Sequence, residues 1–269
     1  RGPEVSRPAD DIVREVQMLA AKGTKEVVLL GQTVNSYGRI RQQGQIPFHE
    51  LLARVCDVTG IERVRFTSPH PAEFSPEQIQ AFAELKELCP HMHLPVQSGS
   101  TRVLKAMRRG YSREKFIDIC HRFKEAVPHA GLTMDIIVGF PGETEAEFEE
   151  TLSLMEEVKF HGAFSFAYSE RKGTKALNIE ESVPPEDRLR RLHKLQALQE
   201  QHTQDWLVSM VGNKETIMIE GPSKSDPTRS SGRSGNNRMV HVDGVFAPGT
   251  FIDVKIIEAF KHSLFAQAV

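Results

Sequence analysis

Five short apolar runs, each followed by a polar tip and then a helical stretch, constrain this chain more than any other feature. The runs are Val27–Leu30, Arg63–Thr67, His93–Val96, Leu132–Val138 and Ala163–Tyr168. Between them, spacing and capping signals predict helices over Pro8–Lys22, Phe48–Val58, Glu77–Leu88, Thr101–Met107, Arg113–Val127 and from Thr144 to near Val158. Ser75/Gln78 and Thr144/Glu147 form capping boxes. Strands alternating with helices five times imply parallel pairing through right-handed crossovers, hence a β/α barrel, open or closed, or a doubly wound sheet. Such folds place ligand chemistry at the C-terminal ends of their strands. Polar, Gly- or Pro-rich residues collect there: Gly31-Gln32, Ser68-Pro69-His70, Gln97-Ser98-Gly99, Gly139 to Glu143, and Ser169 to Gly173. Packing alone does not call for that pattern.

After Pro184-Pro185 the character changes. Glu186 to Val211 reads as one long polar helix with a leucine edge. Beyond Glu215, short alternating segments at Thr216–Ile219, Met239–Val242, Phe251–Ile256 and Leu264–Ala268 predict a small β-barrel. The expected domains are 1–185, a connector helix 186–211, and 212–269. Only the polar stretch Ser223–Asn237 suggests disorder.

The formal net charge is -2, so any nucleic-acid site must be a local patch. Candidate patches are Arg102, Lys105, Arg108, Arg109 and Arg113, then Arg188, Arg190, Arg191 and Lys194, then Lys224, Arg229, Arg233, Asn236, Asn237 and Arg238; a solvated helix face or loop remains the plain alternative for each. The three cysteines, Cys56, Cys89 and Cys120, are widely separated and without a C-x-x-C pair, so they read as buried thiols rather than metal ligands. No apolar run approaches the roughly 20 residues of a membrane span, and with no signal peptide the cytoplasm is the default location. The chain opens on Arg1 in R-G-P-E-V-S-R-P, as a fragment would.

The segment from Asp135 to Thr144 joins a buried strand, a turn with two glycines and a capped helix. Glycine lets a backbone approach a ligand closely, and a helix start offers free N–H groups. Asp135 sits inside a strand, where a lone carboxylate needs a partner. Trp206, on the long helix, reads as a packing anchor.

Taken in order, V-S-R-P, L-L-G-Q-T-V-N-S-Y, R-F-T-S-P-H-P, H-L-P-V-Q-S-G-S, I-V-G-F-P-G-E-T and Y-S-E-R-K-G-T-K-A resemble the radical-SAM methylthiotransferase family, and the C-terminal segment resembles a TRAM domain. Gly31 to Asn35, Ser68 to Pro71 and Ser169 to Thr174 look most like the branch that methylthiolates isopentenyl-adenosine in tRNA. The neighbouring branches act on threonylcarbamoyl-adenosine in tRNA or on a ribosomal-protein aspartate; a non-catalytic RNA-binding barrel is the reading from another class. The resemblance implies a partial radical-SAM β/α barrel, S-adenosylmethionine, two [4Fe–4S] clusters in the full-length protein, an electron donor, the anticodon stem–loop of tRNA as partner, and a monomer. It implies cofactor contacts from Gly31, Gln32, Asn35, Gln97, Ser98, Asp135, Gly139, Pro141 and Gly142. It also implies substrate or RNA contacts from His70, Tyr168, Ser169, Arg171, Arg233, Asn237 and Arg238. The family's C-x-x-x-C-x-x-C loop is expected upstream of Arg1, so the chain as given is expected to hold no cluster and to perform no turnover.

Overall fold

In the structure, a computed structural model, residues 5–39, 44–171, 173–179, 182–224 and 226–269 are described. Arg1 and Lys172, named above, lie outside them.

The first half is built from β1 (Glu26–Leu29), β2 (Arg63–Phe66), β3 (His91–His93), β4 (Gly131–Val138) and β5 (Gly162–Ala167). Strands β1 and β2 pair in parallel, as do β3 with β4 and β4 with β5. A parallel bridge between Val64 and Leu88 links the two sets, with the Cys89 N–H donating to the Val64 carbonyl at 2.9 Å. The result is a partial β/α barrel whose strands follow chain order. Helix α1 (Ala9–Ala20) precedes β1, and α2 (Phe48–Cys56), α3 (Pro76–Glu84), α4 (Thr101–Ala106), α5 (Arg113–Ala126) and α6 (Glu145–Val158) supply the crossovers.

Strand alternation decides which face they cover. In β4, Leu132, Met134, Ile136 and Val138 are fully buried, in one core with Phe116 and Phe123 of α5 and Phe148 of α6. The intervening Thr133, Asp135 and Ile137 face the other way and stay partly open.

Two boundaries differ from expectation. Helix α3 stops at Glu84 because the chain from Glu87 to Cys89 is needed at the sheet: the Val64 N–H donates to the Glu87 carbonyl at 2.7 Å. Strand β3 lies at His91–His93, ahead of the expected His93–Val96, because Pro95 has no N–H to extend a ladder.

Helix α7 (Pro185–Ser209) packs on β5 and α6 and leads to a closed barrel of order β10-β8-β7-β6-β9. Its strands are β6 (Lys214–Pro222), β7 (Arg229–Ser234), β8 (Met239–Asp243), β9 (Phe251–Ala259) and β10 (Leu264–Ala268). Strand β7 corrects the expectation of disorder across Ser223–Asn237. R-S-S-G-R-S carries no apolar signal, yet Ser230, Gly232 and Ser234 point inward. Only small residues fit there: a Cβ on Gly232 would collide with the Met218 backbone of β6.

The two units meet through buried cations. Arg63 donates to the carbonyls of Arg233 at 2.7 Å and Thr216 at 2.6 Å; Arg65 donates to those of Gly235 at 2.9 Å and Ser234 at 3.0 Å. The Arg238 guanidinium donates to the His161 carbonyl and lies over Trp206, which stacks on His161 at 4.3 Å. Charge-assisted bonds of this kind contribute about 1.5–3 kcal/mol each. Arg63→Met is therefore expected to split one calorimetric unfolding transition into two. A single transition at the wild-type midpoint would contradict the assigned docking.

Candidate cofactor and substrate site at the strand tips

The tips that follow β2, β3 and β4 carry left-handed backbone. Ser68 has φ 60° and Gln97 φ 76°, both unusual for residues with a Cβ; Gly139 and Gly142 have φ 72° and 76°. Strain of this sort persists only where surroundings enforce it, and it gathers at ligand sites. Here the enforcement is visible. The Ser68 carbonyl accepts from the Val34 N–H at 3.3 Å. Gln97 donates its N–H to Asp135 at 2.9 Å and accepts from Ile137 at 3.0 Å, so β4 pins it from both sides.

Beside it, Gly99 lies so close to α6 that a Cβ would strike the Thr151 Cα and come within 2.7 Å of the Glu150 carbonyl. Backbone cannot swing aside as a side chain can, so Gly99→Ala is expected to cost about 3 kcal/mol, at the upper end of overpacking losses. A fall below 1 kcal/mol in chemical denaturation would show that α6 moves freely.

The tips do not all offer their side chains to a ligand. Gly31 and Gln32 are exposed beyond β1, and Gln97 is half-buried with its amide unpaired among the described residues. Ser98 departs from its expected cofactor contact: it is fully buried, and its hydroxyl accepts from the Ser100 N–H at 3.2 Å. Asn35 departs too. Its Oδ1 accepts from the His70 N–H at 2.8 Å, its Nδ2 donates to the His70 carbonyl at 3.1 Å, and Gln78 donates to its own carbonyl at 3.1 Å. The β1 and β2 tips are thus locked together by one buried amide. His70 braces the same turn: its Nδ1 accepts from the Ala72 N–H at 3.2 Å, and burial lowers its pKa.

The turn after β4 is held from behind. Gly139, Pro141 and Gly142 are buried, and a Cβ at Gly139 would meet Arg188 Cγ at 2.5 Å. Glu143 folds back so that its Oε2 accepts from the Gly139 N–H at 2.6 Å and from Arg191 Nη1 at 2.8 Å. Burial raises the Glu143 pKa despite both donors. Arg102 binds Glu147 and the Gly142 carbonyl, and its hydrogen bond helps hold Glu147 down at about 2. These three glycine and proline residues shape a wall more than they present groups.

Below the tips the sheet is concave and open. Val28, Phe164 and Phe166 are 44%, 63% and 54% exposed there. His93 Nε2 lies 3.3 Å from Asp135 Oδ1, which supplies the partner that the strand carboxylate needs. A cavity of about 1020 Å³ runs from Val28 and Thr67 past His93 and Phe164 to Asn237, Lys261 and His262 of the C-terminal barrel. At the β5 tip, the Tyr168 ring meets Phe140 at 5.4 Å and lies under Arg188, while Ser169 and Arg171 are exposed.

The pattern of the Radical SAM superfamily matches residues 1–155, more than half of the chain. The chain belongs to the radical SAM superfamily. A TRAM domain follows at residues 208–269. Among curated relatives, the tRNA-2-methylthio-N(6)-dimethylallyladenosine synthase of Syntrophomonas wolfei is 46% identical over 99% of this chain and 60% of its own length. The protein of that name from Trichlorobacter lovleyi is 47% identical over 99% of the chain and 61% of its own length. The chain thus spans about three fifths of these relatives. Coproporphyrinogen III oxidase from Escherichia coli, a radical SAM enzyme, superposes with a TM-score of 0.51 at 12% identity, covering 97% of this chain and 64% of its own. That likeness concerns the fold.

Within this radical SAM domain, Cys56, Cys89 and Cys120 do not fit an iron–sulfur cluster. All are buried, and burial pushes the Cys56 and Cys89 thiols up to about 12 and 11 and Cys120 still higher, whereas a cluster needs thiolates. Several basic candidates are also engaged elsewhere. Arg113 reaches the Gly99 and Glu150 carbonyls; Arg190, Arg191 and Lys194 pair with acids of residues 143–149. In the TRAM domain, Arg229 pairs with Asp243 at 2.8 Å and Arg233 with Glu220 at 2.8 Å. Asn236 accepts from the Gly131 N–H at 3.2 Å, and Asn237 turns the chain at φ 63°. Arg238, an expected RNA contact, is partly buried at the junction, where it lies over Trp206 and also lines the cavity. Sequence reading passed over His93, Phe164 and Phe166. The alternation F-S-F in β5 was the available signal, since it puts two aromatics on one face.

Proposed function

We propose that the gene product carrying this chain transfers a methylthio group to C2 of N6-isopentenyl-adenosine beside the anticodon of tRNA. The observation that supports this reading is a cavity of about 1020 Å³ that runs from Thr67 and Ser68 at the β2 tip, past His93 and Phe164, to the TRAM β-barrel. S-adenosylmethionine fits the tips: Gly31, Gln32 and Gln97 would hold it, with Asp135 beneath and residues 139–142 as the wall. When bound, it supplies hydrogen-atom abstraction chemistry. The chain's own part is to orient, to exclude water from the hollow and to keep polar groups fixed, since the difficult chemistry belongs to cofactors. Tyr168, Ser169 and Arg171 sit at the rim, where substrate would enter; the partly exposed Arg233 and Asn237 remain candidate phosphate contacts, which position RNA without reading its sequence. A cytoplasmic monomer served by an electron donor completes the proposal; among the described residues no helix is long and apolar enough to cross a membrane.

The test is mass analysis of tRNA nucleosides from cells with the gene deleted. Loss of the 2-methylthio group from isopentenyl-adenosine, restored by the gene, is the expected result. Unchanged 2-methylthio-isopentenyl-adenosine would overturn the assignment.

A further inference from the structure

Phe164 and Phe166 stand two residues apart on the concave face of β5, both more than half exposed, while the other face of the sheet is buried under helices. Large apolar groups left open in a hollow mark a surface that something else covers. Their spacing is informative about what. Two residues along a strand span about 6.6 Å, and strand side chains stand roughly perpendicular to the sheet. That gap accepts one planar base, which needs about 3.4 Å on each side.

The neighbouring strands supply hydrogen-bonding groups to the same spot. Asp135 is in register with Phe164, and Ile137 with Phe166. His93 meets Phe164 edge-on at 5.9 Å, and its Nε2 lies 3.3 Å from Asp135 Oδ1. Its Nδ1 is 3.0 Å from Thr133 Oγ1. A carboxylate acceptor and an imidazole therefore sit at the foot of an aromatic step.

We propose that this step seats an unpaired purine base of the RNA substrate, with its ring between Phe164 and Phe166 and its edge facing Asp135 and His93. The proposal rests on the RNA-modifying reading above. Two observations select a base on a strand over a free small molecule. Asp135 lies four residues below Gly139, about 13 Å along β4, so a ligand at the tips leaves the step open. The cavity also continues from Phe164 to Asn237, Lys261 and His262 of the TRAM barrel. A base on a strand would bring its flanking phosphates into that cavity, where Lys261 and His262 offer cationic and hydrogen-bonding partners. Unpaired RNA bases stacked on exposed sheet aromatics are a general mode of recognition.

The experiment uses the gene product and an anticodon stem–loop oligonucleotide with 2-aminopurine on the 3′ side of the anticodon. Wild-type protein should quench the probe on binding. Phe164→Ala should weaken binding about tenfold or more and abolish the quench; Phe164→Trp should restore both. Phe166→Leu, which keeps the apolar bulk, should lose the quench as well. S-adenosylhomocysteine binding, followed by equilibrium dialysis, should be unaltered in every variant. RNA affinity and quench unchanged in Phe164→Ala and Phe166→Leu would overturn the proposal. So would selective loss of S-adenosylhomocysteine binding, since the step would then belong to the cofactor. A wild-type protein that binds no stem–loop at all would remove the RNA reading itself, and this inference with it.

Discussion

Acidification from pH 7 to pH 5 is expected to cost the protein about 4 kcal/mol of stability, well before its carboxylates titrate. His91 and His161 are both partly buried, and burial, with Arg65 beside the first and Lys124 beside the second, lowers each pKa to about 3. His161 Nδ1 accepts from the Leu132 N–H at 2.8 Å, a bond only the neutral ring can make. In the unfolded chain both residues titrate near 6.5. Between 6.5 and about 3 the unfolded state therefore binds protons that the folded state refuses. The stabilisation is complete above 6.5, declines as pH falls, and is gone below both values. Two protons give about 2.7 kcal/mol per pH unit. Total stability is on the order of 5–15 kcal/mol, so the loss should be plain in urea midpoints measured from pH 7 to 5. Glu145 and Glu147, depressed to about 2, add to the acid loss only below the ordinary carboxylate range. His91→Gln should halve the slope between pH 6.5 and 5. A midpoint independent of pH over that range would refute the buried neutral state.

Arg191→Met is expected to cost about 3–5 kcal/mol, the loss typical when one partner of a buried ion pair is removed. Arg191 and Glu143 have side chains only 6% and 1% exposed, and Glu143 Oε1 has no hydrogen-bond partner among the described residues. Without the guanidinium, the carboxylate would keep only the Gly139 N–H. Its pKa, already raised, would climb further. A raised carboxyl favours the folded state below its ordinary value and loses that contribution as pH rises through the raised one. The variant's deficit relative to wild type should therefore shrink as pH is lowered, and the double change Glu143→Gln with Arg191→Met should recover part of it. Equal stability at pH 7 would mean that the turn after β4 does not depend on α7.

The alternation of strands and helices was legible because each crossover buries a period-2 strand under a period-3.6 helix, and both periods are written locally. Capping boxes at Ser75 and Thr144 were legible for the same reason, since each involves residues three apart. Strand β7 was not. Its inward positions carry Ser and Gly because the barrel centre leaves no room, a fact set by the strands on either side. The end of α3 was misjudged because the backbone after Glu84 is claimed by Val64 of β2. Polar residues were legible as the ends of strands, but which of their side chains are engaged by other groups was not. Asn35, Ser98 and Arg238 look like ligand contacts in a list of motifs, and each is taken up by a partner distant in sequence, or by its own turn in the case of Ser98.

By itself, then, the sequence determined the order of elements, the parallel sheet, the polar ends of its strands and the family to which those ends belong. All of these follow from local periodicity and short motifs. Only the tertiary structure decided which polar groups remain available. That depends on hydrogen-bond partners 35 to 77 residues away, as with Asn35 at His70 and Arg238 at His161. It also decided that Phe164 and Phe166 lie open. Whether a strand face is covered depends on where the helices and the second domain come to rest.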